Sequence, residues 1–196
     1  HTPLNLSDLD PDFYTGACHK WMLTPKGCSF MYARKNMQHL LDPLIVSWGY
    51  EAQYPSESQY QDYHQYQGTR DFSAFLTVKD CLDWMDQNDW KDKTAKSKQM
   101  LRHFYPIVAK ELNSSTLCPI SEEFLGQICS FPLQTSDPHT LKEVLFNEYK
   151  IEIPIMNNVG PVIYTRISFQ PYVTEADIED FISAIRSIQQ NTNLLS

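Results

Sequence analysis

The sequence predicts an α/β chain in two parts, the second of them an α+β module. Three observations carry this. Residues 12–19 and 27–34 read as strands joined by a turn at Pro25 and Gly27, a hairpin pattern. Residues 138–150 and 174–188 space apolar side chains three and four apart, as in a helix that buries one face. Residues 160–169 alternate instead: Ile163, Thr165, Ile167 and Phe169 share the core face of a strand, and Val162, Tyr164, Arg166 and Ser168 the other.

Each element has a local reason. Phe13, Tyr14 and Thr15 are strand formers, and in the second strand Phe30 and Tyr32 alternate with Met31 and Ala33. Residues 36–41 fit a short helix ahead of Pro43. Residues 51–67, EAQYPSESQYQDYHQYQ, hold five glutamines and four tyrosines with almost no aliphatic residue, which reads as a loop. Phe72, Phe75, Leu76, Leu82 and Met85 then form a helical stripe that Thr69 or Asp71 can cap. The lysine-rich run 91–98 reads as a solvated face leading into a helix to about residue 112. A boundary near residue 92 divides the chain into domains 1–92 and 93–196. Beyond it come a strand at 127–133, a helix with Leu141, Val144 and Leu145 on one side, and strands at 151–155 and 160–169. The last helix carries Ile178, Phe181, Ile182 and Ile185 on one face, with Thr174 and Asp177 placed as a capping box.

Composition narrows the function classes. The 196 residues are 42% hydrophobic, enough for a real core. A net charge of -8 sets nucleic acid aside as a partner. No apolar run is long enough to span a membrane. The five cysteines, Cys18, Cys28, Cys81, Cys118 and Cys129, are odd in number and contain no CxxC, which favours reduced thiols in a cytoplasmic protein. The six histidines show no ligand spacing, so no metal site is expected. The opening HTPLNL has neither an initiator Met nor a signal pattern, and is read as following a removed segment.

Three short stretches could carry chemistry. In DFYTGACHKWMLTPKG, Lys20 follows a strand in the company of Cys18, Trp21 and Met22. A lysine there either snorkels to water or, kept neutral by burial, acts as a nucleophile toward an aldehyde cofactor. GTRD, residues 68–71, opens a helix, either as a plain cap or as a phosphate site made of unpaired N–H groups and the Thr69 hydroxyl. Arg166 lies mid-strand on the face away from the core, suited to a substrate carboxylate or to an ion pair with one of the 24 acids.

Taken in order, TGACHKW with PKG, then SWGYE, GTRD and RIS, resemble the class V aminotransferase family of fold type I pyridoxal-phosphate enzymes, in its isopenicillin N epimerase-like branch. The resemblance covers nearly the whole chain. It implies the C-terminal part of that fold: a remnant of the large α/β domain followed by a small α+β domain. It makes Lys20 the Schiff-base lysine, with His19 lining the phosphate end of pyridoxal 5'-phosphate. Gly68 and Thr69 become the Gly-Thr motif that reaches the cofactor phosphate, in this family usually across a homodimer interface. Arg166 holds the substrate α-carboxylate, and His1 lies near the cofactor's ring oxygen. Lys26 also matches a family position, as a structural residue near the turn. The segment before the Gly-Thr motif lies near the active-site mouth in such enzymes, so the tyrosines of 51–67 become candidates for contact with substrate or a partner subunit.

The resemblance also marks departures. The family's aspartate that pairs with the pyridine nitrogen belongs just before His1, outside this sequence, together with the phosphate-binding turn and the residue that stacks on the ring. The chain alone is therefore expected to bind the cofactor weakly or not at all. Cysteine desulfurases of the class carry a persulfide-forming cysteine shortly before the carboxylate-binding arginine, and residues 153–165 contain none. The implied activity is that of an epimerase, lyase or aminotransferase working at the α-carbon of an amino-acid-like substrate. The alternative is a non-catalytic C-terminal domain that acts only by association.

Overall fold

The computed structural model describes residues 2–157 and 160–195; His1 lies outside the described residues. Two compact units divide the chain, one spanning Pro3–Asn88 and the other chiefly Asp89–Ser196.

The first unit begins with a short helix, α1 (Leu6–Leu9), capped by the Asn5 side chain. Strands β1 (Phe13–Ala17) and β2 (Ser29–Ala33) pair antiparallel from Phe13 opposite Ala33 to Ala17 opposite Ser29. Arg34 ties the open end of this hairpin to Asp10 and Asp12 at 2.9 and 3.4 Å. The segment expected as a helix before Pro43 is a tighter 3-10 turn, Lys35–Leu40. Residues 51–67 correct the expectation of a loop, because Gln59–Gln65 forms helix α2. Ser58 caps it by accepting from the Gln61 N–H, and Tyr60 stacks on His64 one turn later at 4.9 Å. Capping and ring pairs at helical spacing replace the missing aliphatic stripe. Helix α3 (Ser73–Gln87) follows. The N-cap is Phe72, which offers no side-chain bond; Asp71, just ahead of it, accepts from the Ser73 N–H at 2.8 Å, so neither Thr69 nor Asp71 is the cap expected from the sequence. The predicted stripe is only partly buried: Ala74, Phe75 and Val78 pack on Cys18, Cys28 and Met22, while Phe72, Leu76 and Leu82 face water.

The second unit packs helices on a three-stranded antiparallel sheet. Helix α4 (Trp90–Glu111) leads to β3 (Ile128–Leu133), α5 (Pro138–Asn147), β4 (Ile155–Met156), β5 (Ile163–Ser168) and α6 (Glu175–Asn191). The sheet order is β3-β5-β4, so Pro132, which lacks an N–H, sits on an edge strand as its chemistry requires. The run 151–155 yields a strand only from Ile155, shorter than its alternation suggests. Thr165, Ile167 and Phe169 are buried, and Arg166 and Ser168 are exposed, as the alternation requires. Leu101, Tyr105, Phe131, Leu141, Phe169 and Ile185 anchor one continuous core. Tyr105 is sealed inside it because its hydroxyl accepts from the Leu117 N–H at 2.7 Å and donates to the Ser130 carbonyl at 3.3 Å. Thr174 and Asp177 form the expected capping box at the start of α6.

Candidate active site

The turn that carries Lys20 grows out of the hairpin. The ladder runs one step past β1 and β2, where the Cys18 N–H donates to the Cys28 carbonyl at 3.0 Å. The chain then leaves the ladder, and the Leu23 N–H returns to the Lys20 carbonyl at 3.2 Å. Leu23 takes the left-handed backbone, φ 65°, and Gly27 does so at φ 101°. Lys20 therefore stands at a turn and is exposed, not enclosed by the apolar residues beside it in sequence. A turn does not sort neighbours onto alternating faces as a strand does, so only Cys18 of that company is buried. Among the described residues, no carboxylate lies within ion-pair distance of Lys20. His19, next to it, is half-buried, and its Nδ1 is sealed from solvent with no hydrogen-bond partner among the described residues. Such an orphan is rare in a finished protein interior and marks a position where a polar group belongs.

Gly68 and Thr69 lie in a bend before α3. Gly68 has φ 91°, and a Cβ there would come within 2.9 Å of the Ser47 Oγ, so both backbone and space call for glycine. The exposed Thr69 hydroxyl makes no hydrogen bond among the described residues. Arg70 beside it donates to Gln67 at 2.8 Å and stacks over Phe75, 4.8 Å from the ring centre. Asp71 is held below the usual carboxylate range, chiefly by the Ser73 backbone hydrogen bond.

Arg166 belongs to the second unit, mid-way along β5 opposite Ser130. It lines a groove of about 440 Å³ together with Glu152, Tyr172 and Asp177. Among the described residues Arg166 has no ion-pair partner. The Asp177 carboxylate is occupied, accepting from the Thr174 N–H at 2.7 Å and hydroxyl at 2.8 Å. The described candidates thus fall into two groups: His19, Lys20, Gly68 and Thr69 in the first unit, and Arg166 in the second.

The sequence reading missed a groove of about 880 Å³ beside α2, lined among others by Gln38, His39, Tyr50, Tyr63 and His64. Its signal was present in Ser58 at a capping position and in the Tyr60–His64 spacing. It also missed Gly49 of SWGYE, where a Cβ would lie 1.9 Å from the Asp62 carbonyl oxygen. The backbone of α2 closes on that glycine and leaves no room for a side chain.

Comparison with known proteins agrees with these motifs. The sequence profile described as Aminotransferase class-V matches residues 1–181. Isopenicillin N epimerase of Streptomyces clavuligerus is 27% identical over 197 residues, covering 94% of this chain and 49% of the epimerase. The apo structure of a cysteine desulfurase from Thermococcus onnurineus NA1 superposes with a TM-score of 0.76 at 16% identity, covering 95% of this chain and 49% of its own. A variant of C-DES with glycine covalently linked to its PLP cofactor superposes with a TM-score of 0.71 at 16% identity, covering 93% and 48%. The chain spans about half the length of the curated relatives it matches.

Proposed function

The chain belongs to the aminotransferase class-V family, and we propose that it is the C-terminal portion of a pyridoxal-phosphate enzyme acting at the α-carbon of an amino-acid-like substrate. The observation that carries this reading is the Lys20 turn. An exposed amine without a carboxylate partner stands beside a histidine nitrogen sealed in without one. A free amine and a ring nitrogen without a partner are the chemistry that a phosphorylated aldehyde cofactor takes.

Lys20 is the residue that bonds to the cofactor's aldehyde, and its amine is nucleophilic only when neutral. When bound, the cofactor supplies a sink for the electrons left at the substrate α-carbon as a bond there breaks. With substrate in place, the Lys20 amine would take the proton from the α-carbon and return it, as general base and then acid. His19 fills its orphan Nδ1 at the phosphate end. The Thr69 hydroxyl, not spent on capping α3, donates to the phosphate in a homodimer. Arg166 presents a planar fork to the substrate carboxylate and fixes its orientation. Epimerisation, elimination and transamination all share these steps. Residues 153–165 offer no thiol, which disfavours sulfur transfer to a protein cysteine.

The second reading, a domain that acts only by association, is favoured by the small buried cluster of the first unit, Cys18, Cys28 and Ala74. Colour separates the two. With one equivalent of pyridoxal phosphate the chain, which binds the cofactor weakly by itself, gains an absorption band beyond that of the free cofactor; Lys20→Ala removes that added band and Lys26→Ala keeps it. An undiminished band in Lys20→Ala overturns the catalytic reading. Arg166→Ala keeps the band but loses its response to added amino acids.

A further inference from the structure

Cys18 and Cys28 take no part in the chemistry above, yet their placement is the most specific feature left in the first unit. Continuing the β1–β2 register past Ala17 and Ser29 sets Cys18 directly opposite Cys28, and the 3.0 Å backbone hydrogen bond between them shows that the ladder reaches that far. Opposed residues of an antiparallel pair point to one face, and a hydrogen-bonded pair such as this one has Cα atoms about 5.5 Å apart. A disulfide spans Cα separations of about 4.4–6.8 Å. Both side chains are buried in one small cluster with Ala74. Cys81 has no such counterpart, and Cys118 and Cys129 lie in the other unit.

We propose that Cys18 and Cys28 form a reversible disulfide across the neck of the turn that carries His19 and Lys20. The oxidant is a low-molecular-weight disulfide such as glutathione disulfide. The thiolate of one cysteine attacks it, forming a mixed disulfide and releasing one glutathione. The thiolate of the other cysteine then attacks the protein sulfur of that mixed disulfide and releases the second glutathione. In sum, two protein thiols lose two hydrogens and one glutathione disulfide becomes two glutathiones. Access requires a local opening of the hairpin, and elements with few buried apolar contacts open most readily. Burial, with Cys28 adding to it, pushes the Cys18 thiol up to about 11, so that thiol is protonated at neutral pH. A dithiol without a stabilised thiolate forms its disulfide slowly and holds it firmly. The bond closes a loop over residues 19–27 and restricts the backbone on which Lys20 stands. That consequence for activity rests on the role proposed for Lys20; the bond itself does not.

The test equilibrates the full chain with glutathione disulfide, blocks remaining thiols by alkylation and maps the peptides by mass. The folded chain is expected to lose the mass of two hydrogens and to yield one linked peptide pair joining Cys18 to Cys28. Cys18→Ser abolishes that pair and Cys81→Ser leaves it; should Cys18→Ser fail to fold, the map of the unaltered chain decides alone. In concentrated urea the same treatment spreads linkage over Cys81, Cys118 and Cys129 as well. Alkylated Cys18 and Cys28 in the oxidised folded chain, or glutathione adducts without the linked pair, would overturn the proposal. Lys20→Ala still forms the linked pair, so failure of the Lys20 reading and failure of this one are distinguishable.

Discussion

The two units solve the problem of burial differently. The second closes a core that runs from Leu101 and Tyr105 of α4 through Phe131 of β3 to Phe169 and Ile185, all of them buried. The first gathers only Cys18, Cys28 and Ala74 into its cluster, and leaves Phe13, Phe30, Met31, Leu44 and Trp48 exposed. A two-stranded hairpin is marginal by itself, and here α3 supplies the little packing it has. Yet the lysine, its histidine neighbour and the Gly-Thr bend all belong to that thinly cored unit. The second unit contributes a single candidate, Arg166, from a rigid strand. The contrast teaches that the groups proposed for bond making stand on the unit with little buried core, and the group proposed for orientation stands on the unit with much.

Hydrogen exchange gives the largest expected contrast. Amides of α4, β3 and α6 exchange orders of magnitude more slowly than those of β1, β2 and α2, because the free energy of local opening rises with buried contact. Comparable protection in both units would erase the comparison. Next, Phe131→Ala, at a side chain with 0% exposure, costs about 3–5 kcal/mol in the urea transition of the second unit. Gly49→Ala forces a Cβ against the Asp62 carbonyl and destabilises the first unit by about 1–3 kcal/mol. Circular dichroism of the α2 region, isolated by difference from the parent chain, reads the loss.

Acid gives the smallest effect and sharpens the comparison. Glu111, held by the Arg186 hydrogen bonds, and Asp137 and Asp177, held by Thr140 and Thr174, all sit below their ordinary values in the second unit. In the first unit only Asp71 does so among the described residues. A carboxyl depressed in the folded state stabilises it above the unfolded value, and that gain is lost as pH falls through the folded value. Titration below the ordinary carboxylate values of 4.5 and 3.8 should therefore weaken the second unit more than the first. Asp137 and Asp177 are exposed and Glu111 is half-buried, so solvent screening keeps the change small. Unfolding midpoints followed by unit-specific exchange would show it.

Much of the second unit was legible because its side chains alternate or repeat cleanly. The β5 faces, the capping box and the α6 stripe follow from local patterns that tertiary packing reinforces. Legibility fell where no aliphatic period exists. Helix α2 is held by Ser58, by ring pairs and by the close approach of Gly49, none of which a hydrophobic pattern registers. Lys20 shows the converse failure. Apolar neighbours in sequence suggested burial, but a turn turns its residues outward and leaves the amine in water. The Gly-Thr bend was legible as a motif, whereas the cap was not: the N-cap is Phe72, which has no side-chain acceptor, and Asp71 bonds the first turn from one position earlier.

The central claim is that Lys20 is the cofactor's lysine. Its most direct test is reduction of the chain with borohydride in the presence of pyridoxal phosphate, followed by peptide mapping of the labelled lysines. The account predicts label on Lys20 in preference to Lys91, Lys93 and Lys96. Label spread evenly over those lysines and Lys20 would contradict it.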